Sequence, residues 1–179
     1  EPGVAIVLNG PSSSGKTTLA NALQKELYSE QNEVFFYTSI DTFATQHLPP
    51  AFLEEEQNLI QLTPSLIHAF HRAIRVMLES GHNVIIDHVL QEKWWAEDLN
   101  SCLANVEFLS VMLTAPINIL QEREKARKNR TIGIAAYQHN SMHHGLRCDY
   151  ILDTSDISPE SCAKIVREKM ERAFKTSLR

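Results

Sequence analysis

Gly10-Pro-Ser-Ser-Ser-Gly-Lys-Thr17 fits the pattern G-x-x-x-x-G-K-[ST] at every fixed position and directly follows the apolar run Ala5-Ile-Val-Leu-Asn9. Leu19, Leu23 and Leu27 come next at the spacing of one helical face. A phosphate-binding loop requires this setting of strand, glycine-rich turn and helix. An ordinary Ser/Gly-rich turn needs neither the lysine nor the second glycine at that offset. The pattern therefore predicts a site for nucleotide phosphates.

Each residue type in the loop has a chemical reason. Gly10 and Gly15 allow backbone angles that a Cβ would hinder, so successive N–H groups can surround an anion at the start of the helix. Lys16 can follow the outer phosphates, and the Thr17 hydroxyl suits Mg²⁺, which prefers oxygen ligands. We therefore expect ATP and Mg²⁺ to bind here. The expected nucleotide-binding residues of this segment are Gly10, Pro11, Ser12, Ser13, Ser14, Gly15, Lys16, Thr17 and Thr18.

The composition is that of an ordinary globular chain, with 179 residues of which 43% are hydrophobic. This length predicts a single domain over residues 1–179. The net charge of −5 argues against a nucleic-acid-coating protein. No apolar run reaches membrane-spanning length, and Cys102, Cys148 and Cys162 lack the spacing of metal ligands. We expect reduced thiols and a cytoplasmic protein with no membrane partner. The sequence does not predict the oligomeric state.

Strand and helix patterns alternate along the rest of the chain. Strands are expected at 5–9, 34–38, 83–87, 106–113 and 149–152, and helices from 16, at 63–80 and 91–103, from 115, and at 135–144 and 159–174. Such alternation predicts an α/β fold, a five-stranded parallel sheet flanked by helices. Pro64 is placed in the first turn of its helix. Residues 42–62, which Pro49-Pro50 interrupts, are expected to form an insertion that covers the substrate.

Two acids stand at the ends of predicted strands. Asp41 follows the second strand and Asp87 ends the third, so both should face the crevice beside the phosphate loop. Asp87 is expected to hold Mg²⁺ with Thr17, either directly or through water. Asp41 has two open interpretations, a functional acid in the crevice or the N-cap of a turn that begins at Thr42.

Further candidates for nucleotide binding lie in the second half of the chain. Arg123, Arg127 and Arg130 fall within eight residues, and the first two are neighbours on one helical face. They predict a lid at about residues 128–136 that stabilises charge on the transferred phosphoryl group, the alternative being a solvated helix paired with adjacent glutamates. Asp153-Thr154 follows the last strand, where a nucleotide base could rest.

Taken together, these motifs resemble the chloramphenicol phosphotransferase-like kinases over residues 6–163. The segments that carry the resemblance are Leu8-Asn-Gly-Pro-Ser-Ser-Ser-Gly-Lys-Thr17, Ile40-Asp41, Val84-Ile-Ile-Asp87, Arg123-Glu-Lys-Ala-Arg127 with Arg130, and His143 with Gly145, Asp149, Asp153 and Thr154. The resemblance implies an ATP-dependent O-phosphotransferase with a nucleoside-kinase-like sheet. It also implies that Asp41 takes the proton of the acceptor hydroxyl.

The same resemblance implies that Arg123 and Arg127 contact the nucleotide or its phosphates and that Arg130 belongs to a short lid. Lys16, Asp41, Arg127 and Arg130 are thus the expected catalytic residues. The chain departs from the family pattern at His88, where a second acid would follow Asp87, and at Cys148, where a tyrosine would stand. Residues 42–80 also look different, so the resemblance leaves the acceptor open.

Three functions remain in view at this point. The first is transfer from ATP to a hydroxyl of a small molecule, with chloramphenicol or a related compound as candidate acceptor. The second is a kinase of a nucleotide or phosphorylated metabolite, which needs a further cationic pocket that Arg72, Arg75 and Lys93 could supply. The third is a nucleotide-dependent switch or binding module, which has no need of Asp41 as a base. Fold alone does not decide between them.

Overall fold

The computed structural model describes residues 1–127, 133–141 and 145–174. Its elements in chain order are β1 (Ala5–Asn9), α1 (Lys16–Gln31), β2 (Phe35–Ser39), α2 (Ile40–His47), α3 (Pro50–Leu53), α4 (Glu56–Glu79), β3 (Asn83–His88), α5 (Lys93–Cys102), β4 (Phe108–Thr114), α6 (Ile117–Ala126), α7 (Ile134–Ser141), β5 (Tyr150–Asp153) and α8 (Pro159–Ala173). The strands form one sheet in the order β2-β3-β1-β4-β5, and every pairing is parallel. This confirms the predicted α/β fold with a five-stranded parallel sheet.

The central strand β1 brings the phosphate loop to the middle of the sheet. All five of its residues are buried, as expected of a parallel strand covered on both faces. It pairs with β3 on one side and with β4 on the other, and the register places Leu8 opposite Asp87. Ser39 at the end of β2 lies opposite Asp87 on its other side. The carboxyl ends of β1, β2 and β3 therefore meet at one edge, where ligands of such sheets bind.

Helices cover both faces of the sheet. On one face, α1 and α8 pack together over a core that includes Leu23, Val111 and Val166. On the other face, α4 and α5 bury Phe70 and Leu99 against β1 and β3. Parallel strands need this double cover because their apolar residues point both ways. The helices α2, α4, α5, α6 and α7 contribute residues to the site described below.

The fourth helix differs from the prediction. It begins at Glu56 rather than at residue 63, which puts Pro64 in its interior instead of its first turn. Proline has no N–H, so the carbonyl of Ile60 loses its helical partner. Ile60 is 66% exposed, where water can replace that partner, and the Thr63 hydroxyl donates to the Leu59 carbonyl at 2.6 Å. The solvent-facing position explains how the helix continues through the proline.

Two further helices need correction or restriction. The sixth ends at Ala126, so Arg127 is its C-cap residue and not a neighbour of Arg123 on a regular helical face. The helix predicted at 135–144 is observed as α7, and residues 142–144 lie outside the described part of the chain. The break expected at Pro49-Pro50 is confirmed, because α2 ends at His47 and α3 begins at Pro50. Among the described residues, no helix is long and apolar enough to cross a membrane.

Candidate active site

The phosphate loop presents several polar groups without partners. The hydroxyls of Ser12, Ser13 and Ser14 are buried, and none bonds to an atom of the described residues. A Cβ at Gly10 would lie 2.6 Å from the Leu113 carbonyl oxygen, and Gly15 has φ of 96°, which an L side chain rarely adopts. Unsatisfied buried polar groups are costly in a folded chain. The loop thus has the chemistry of a site that an anion completes.

Lys16 lies within the loop and is almost fully buried, with 7% of the residue exposed. Its Nζ donates to the carbonyl oxygens of Gly10 at 2.8 Å and Pro11 at 2.9 Å. Neutral carbonyls stabilise an ammonium less than a negative charge does, since hydrogen bonds between two charged groups are the stronger kind. A phosphate in this loop would therefore gain a strong electrostatic partner.

Thr17 and Asp87 meet, as the sequence predicts for a Mg²⁺ site. The Thr17 hydroxyl donates to Asp87 Oδ2 at 2.8 Å, and Asp87 is 6% exposed. In the described chain no group of three or more His, Cys, Asp or Glu side chains could hold a metal ion. Mg²⁺ commonly takes only one or two protein oxygens and completes its shell with phosphates and water. The donor set fits that cation.

Tyr37 is a member of this cluster that the sequence analysis missed. Its hydroxyl donates to the same Asp87 oxygen at 3.1 Å. Burial and the negative charge of Asp87 raise the pKa of Tyr37, so it stays a neutral donor. The alternation of β2, which puts Tyr37 and Ser39 on one face, was the available signal. The pairing of β2 with β3, which the sequence did not show, is what brings the tyrosine to Asp87.

Asp41 does not cap α2, so that alternative is wrong. The N-cap is Ser39, whose Oγ accepts a hydrogen bond from the Thr42 backbone N–H at 3.0 Å. Asp41 instead lies in the first turn of α2, where its exposed carboxylate lines a cavity of about 230 Å³ beside the phosphate loop. Lys16 and Asp87 line the same cavity. The acid is therefore near the loop and accessible from the cavity.

The far wall of this cavity, which we call the acceptor cavity, is largely apolar. It is formed by side chains of α2, α4 and α5 and of the residues after β3, namely Ile40, Ala44, Leu66, Ile67, Val89 and Trp95. Thr63 and Gln91 add neutral polar groups. Among the described lining residues, Lys16 and Arg127 supply the positive charges. The wall suits an uncharged molecule with an apolar body.

Arg123 and Thr154 connect α6 to the phosphate loop at a second cavity. Arg123 Nη1 donates to Thr154 Oγ1 at 3.0 Å and Nη2 donates to the Thr154 carbonyl at 2.6 Å. Thr154 Oγ1 in turn donates to the Ser14 carbonyl at 2.8 Å. Leu19 and Ile157 also line this cavity of about 350 Å³, which we call the nucleotide cavity. The cavity could offer a planar base both apolar contacts and a guanidinium.

The remaining predicted residues take different places. Arg127 is half-buried and lines both cavities, so it stands at the junction between them. Asp153 is exposed, accepts a hydrogen bond from the Ser155 N–H at 2.8 Å and lines neither cavity. Its pKa is lowered mainly by the hydrogen bonds from Ser155. Arg130 and residues 128–132 of the predicted lid lie outside the described residues.

Behind the acceptor cavity lies a chain of histidines that the sequence did not reveal as a unit. His88 Nε2 and His71 Nε2 are 3.1 Å apart, and His71 Nδ1 lies 2.6 Å from Asp98 Oδ2. His68 Nδ1 contacts the other Asp98 oxygen at 2.8 Å. His88 is stacked on Trp95, with ring centres 5.6 Å apart. His68 and His71 of α4, His88 of β3 and Asp98 of α5 thus form one connected chain, and its His88 end supports the wall residue Trp95.

Burial sets the protonation of the inner pair. Burial lowers the pKa of His71. Burial, followed by the repulsion that a protonated His71 and Lys16 would exert, holds the pKa of His88 well below its usual range. Both rings are therefore neutral at pH 7. Because the Asp98 carboxylate accepts from His71 Nδ1–H, the other His71 nitrogen accepts from His88 Nε2–H. The contacts thus fix the tautomer of each ring.

Comparison with known proteins decides the family. The model of the chloramphenicol phosphotransferase-like family matches residues 3–171. This chain belongs to the chloramphenicol phosphotransferase-like family. Two curated relatives, from two strains of Mycobacterium tuberculosis, are provisionally named O-phosphotransferases, and each is 29% identical over 191 residues, covering 94% of this chain and 83% of the relative.

Solved structures support the fold of this family member. The Mycobacterium tuberculosis APS kinase CysC, in complex with AMPPNP and APS, has a TM-score of 0.70 at 16% identity, covering 95% of this chain and 98% of its own. A gluconokinase from Sinorhizobium meliloti 1021 has a TM-score of 0.66 at 19% identity and 98% coverage of both chains. The family match, together with the curated relatives, makes this chain a small-molecule kinase that performs kinase-type phosphotransfer. The family, the fold and the enzyme class expected from the sequence are confirmed.

Proposed function

We propose that this kinase transfers the γ-phosphoryl group of ATP, with Mg²⁺, to a hydroxyl of an uncharged small molecule. One observation carries the proposal: Asp41, Lys16 and Arg127 line a single cavity, and Arg127 also lines the nucleotide cavity next to it. A base, a phosphate-binding cation and a charge at the junction are the parts that such a transfer needs. One domain supplies all of these residues, and α2, α4, α5 and the residues after β3 form the acceptor wall.

The nucleotide is assigned to the loop and the nucleotide cavity. The base lies beside Arg123 and Thr154, and the backbone and hydroxyl groups of residues 10–18 bind the phosphates. Thr17 and Asp87 would hold Mg²⁺, which neutralises charge on the outer phosphates when bound. The support is the meeting of Thr17 and Asp87 at 2.8 Å and the buried, unpartnered serine hydroxyls of the loop.

Asp41 is assigned the role of general base. The hydroxyl proton of the acceptor passes to its carboxylate as the acceptor oxygen forms a bond to the γ-phosphorus. The bond from that phosphorus to the bridging oxygen breaks, and ADP leaves with the electron pair. Arg127 at the junction stabilises the negative charge that spreads over the transferred oxygens. Lys16 contacts the same oxygens from its position in the loop.

The positions of three cations disfavour a phosphorylated acceptor. Arg75 donates to Glu79 and to the carbonyls of Cys102 and Ala104, on the outer side of α4. Lys93 is exposed and pairs with Glu97 at 3.3 Å, and Arg72 is exposed. None of these three cations lines the acceptor cavity. Among the described residues, Lys16 and Arg127 are the cations of this cavity, and an acceptor phosphate would have to share them with ATP.

The acceptor we propose is therefore a hydroxylated compound with an apolar, ring-bearing body, such as chloramphenicol or a related molecule. Trp95 and the aliphatic residues of the wall provide contact area for such a body. The hydroxyl of the acceptor would lie beside the Asp41 carboxylate. A plain sugar or phosphate ester offers less apolar surface to this wall and would forfeit that part of the binding free energy.

A screen of ATP consumption tests this function. Wild type and Asp41→Asn are incubated with MgATP and one acceptor at a time, drawn from hydroxylated aromatic antibiotics, nucleosides, sugars and their phosphates. We expect product only with an uncharged acceptor, and its mass should exceed that of the acceptor by one phosphoryl group. Faster transfer to a phosphorylated acceptor would contradict the proposed acceptor class. Absence of phosphorylated product from every acceptor would contradict the proposed function.

A further inference from the structure

Gln138 on α7 reaches the phosphate loop across 126 residues of sequence. The backbone N–H of Ser12 donates to Gln138 Oε1 at 2.7 Å, and 7% of Gln138 is exposed. The sequence patterns do not single out this residue. A buried hydrogen bond between α7 and the loop is a specific contact, because buried amides are costly unless their groups are paired.

The partner of the carbonyl fixes the orientation of the amide. An N–H can donate only to the oxygen of a carboxamide, so Oε1 must face Ser12 and Nε2 must occupy the other branch. Gln138 lines the acceptor cavity together with Lys16, Asp41 and Arg127. With its oxygen engaged on the loop, the group that Gln138 offers to the cavity is the amide nitrogen, a neutral donor.

The helix that carries Gln138 is itself held in place. Glu124 of α6 is 1% exposed and accepts hydrogen bonds from the backbone N–H groups of Gly133 and Ala135, each at 2.8 Å. A carboxylate at a helix N-terminus satisfies donors that lack helical partners and favours the helix dipole. Gln138 follows Ala135 by three residues, which is close to one turn. The amide is thus positioned before any phosphate arrives.

We propose that Gln138 is a phosphoryl-binding residue: Oε1 holds the Ser12 N–H in place while Nε2 donates a hydrogen bond to an oxygen of the γ-phosphoryl group. The residue then distinguishes ATP, which has that group, from ADP, which lacks it. This inference rests on the proposed ATP-dependent transfer. Gln138 thus adds a neutral donor to the charges of Lys16 and Arg127. A negative side chain at the same position would repel the phosphate.

The Gln138→Glu variant tests the two ends of the amide separately. A carboxylate still accepts from the Ser12 N–H, whereas the donor becomes an oxygen that repels phosphate. Binding of MgATP and of MgADP is measured by calorimetry for wild type, Gln138→Glu, Gln138→Met and Gln121→Glu. The last variant makes the same change on the exposed surface of α6 and serves as the control. No acceptor is needed for any of these measurements.

For Gln138→Glu we expect MgATP affinity to fall between about tenfold and a hundredfold, the range for a charge-assisted hydrogen bond replaced by repulsion. MgADP affinity should stay within about threefold of wild type. Gln138→Met, which lacks both polar groups, should bind MgATP about tenfold more weakly. If Gln138→Glu does not fold, Gln138→Met still tests whether the amide contributes to MgATP binding. The control variant should match wild type for both nucleotides.

An unchanged ratio of MgATP to MgADP affinity in both variants would overturn the inference, because the amide would then serve only to brace the loop. Equal losses for the two nucleotides would overturn it as well. Failure of the proposed function has a different signature, since the wild type would then bind nucleotide without transferring phosphate to any acceptor. Calorimetry reveals the first failure and the acceptor screen reveals the second, so the two failures are distinguishable.

Discussion

The phosphate loop and the acceptor cavity share five residues, yet they are built in different ways. The shared residues are Ser12, Ser13, Gly15, Lys16 and Thr17. The loop is a continuous segment whose backbone groups, glycines and lysine act together because they are neighbours in sequence. The acceptor cavity is formed by side chains from α2, α4, α5 and α7, and its members range from residue 12 to residue 138. A site formed by one continuous segment keeps one chemistry. In a site formed by several helices, substitutions on any of those helices can change which ligand binds. Mutations should therefore separate nucleotide binding from transfer.

Asp41→Asn should give the largest separation. It removes the proposed base from the acceptor side while keeping size and hydrogen-bonding capacity. We expect kcat to fall between about a hundredfold and ten-thousandfold, the usual contribution of a positioned general base, with MgATP affinity nearly unchanged. Single-turnover transfer and nucleotide binding are measured on one sample. Asp156→Asn, an exposed acid after β5, is the control, and transfer by Asp41→Asn within about threefold of wild type would remove Asp41 from the catalytic group.

Lys16→Ala should affect both sides of the comparison. The loop loses its one cationic side chain, and the Gly10 and Pro11 carbonyls that Lys16 contacts cannot replace that charge. We expect kcat/KM to fall by about a hundredfold to a thousandfold, or roughly 3 to 4 kcal/mol of barrier. MgATP binding should weaken too, unlike in the Asp41 variant. Wild-type kinetics in Lys16→Ala would contradict the phosphate assignment of the loop.

A comparison of Arg127 and Arg123 variants tests where the acceptor cavity ends and the nucleotide cavity begins. Arg127 lines both cavities, so Arg127→Ala should lower kcat by about tenfold to a hundredfold and MgATP binding less. Arg123 contacts Thr154 and lines only the nucleotide cavity, so Arg123→Ala should mainly raise the KM for ATP. Steady-state kinetics with varied ATP tests both. If the two variants have the same kinetic profile, the assigned boundary between the cavities is wrong.

The same difference explains what could be read from the sequence. The strand, loop and helix around Lys16 follow a local pattern, and the sheet follows from alternation of elements, so both were predictable. Thr17 and Asp87 could be paired because parallel strands end at a common edge. The contact of Gln138 with Ser12 and the chain from His71 to His88 depend on how helices pack across long separations. No periodicity encodes such a contact.

Helix boundaries show a second limit of local patterns. Pro64 indicated a helix start, and the prediction was wrong because a proline is tolerated inside a helix where the carbonyl it leaves unpaired belongs to an exposed residue, here Ile60. Asp41 indicated a cap, but Ser39 two residues earlier provides it. In both cases a residue had two acceptable local roles. Its environment in three dimensions, absent from a local pattern, decided between them.

The smallest expected effect concerns the stability of the acceptor wall. His71 and His88 are fully buried and have lowered pKa values, so the folded state binds fewer protons than the unfolded state, in which a histidine has a pKa near 6.5. Stability must then fall as pH drops below about 6.5. We expect a loss of about 1 to 2 kcal/mol from this pair between pH 7 and pH 5.5, measured by urea unfolding.

Carboxylates also weaken the fold in acid, so the histidine contribution is obtained by difference. His88→Leu removes one buried titrating ring and should show a shallower loss of stability between the same two pH values, even though it is less stable at pH 7. His82→Gln, a change of an exposed histidine, should keep the wild-type slope. Because His88 stacks on Trp95, acid should also weaken acceptor binding before it affects MgATP binding. If the free energy of unfolding falls equally in His88→Leu and wild type between the two pH values, the buried pair does not titrate on unfolding. The neutral state of these histidines would then make no contribution to the stability of the fold.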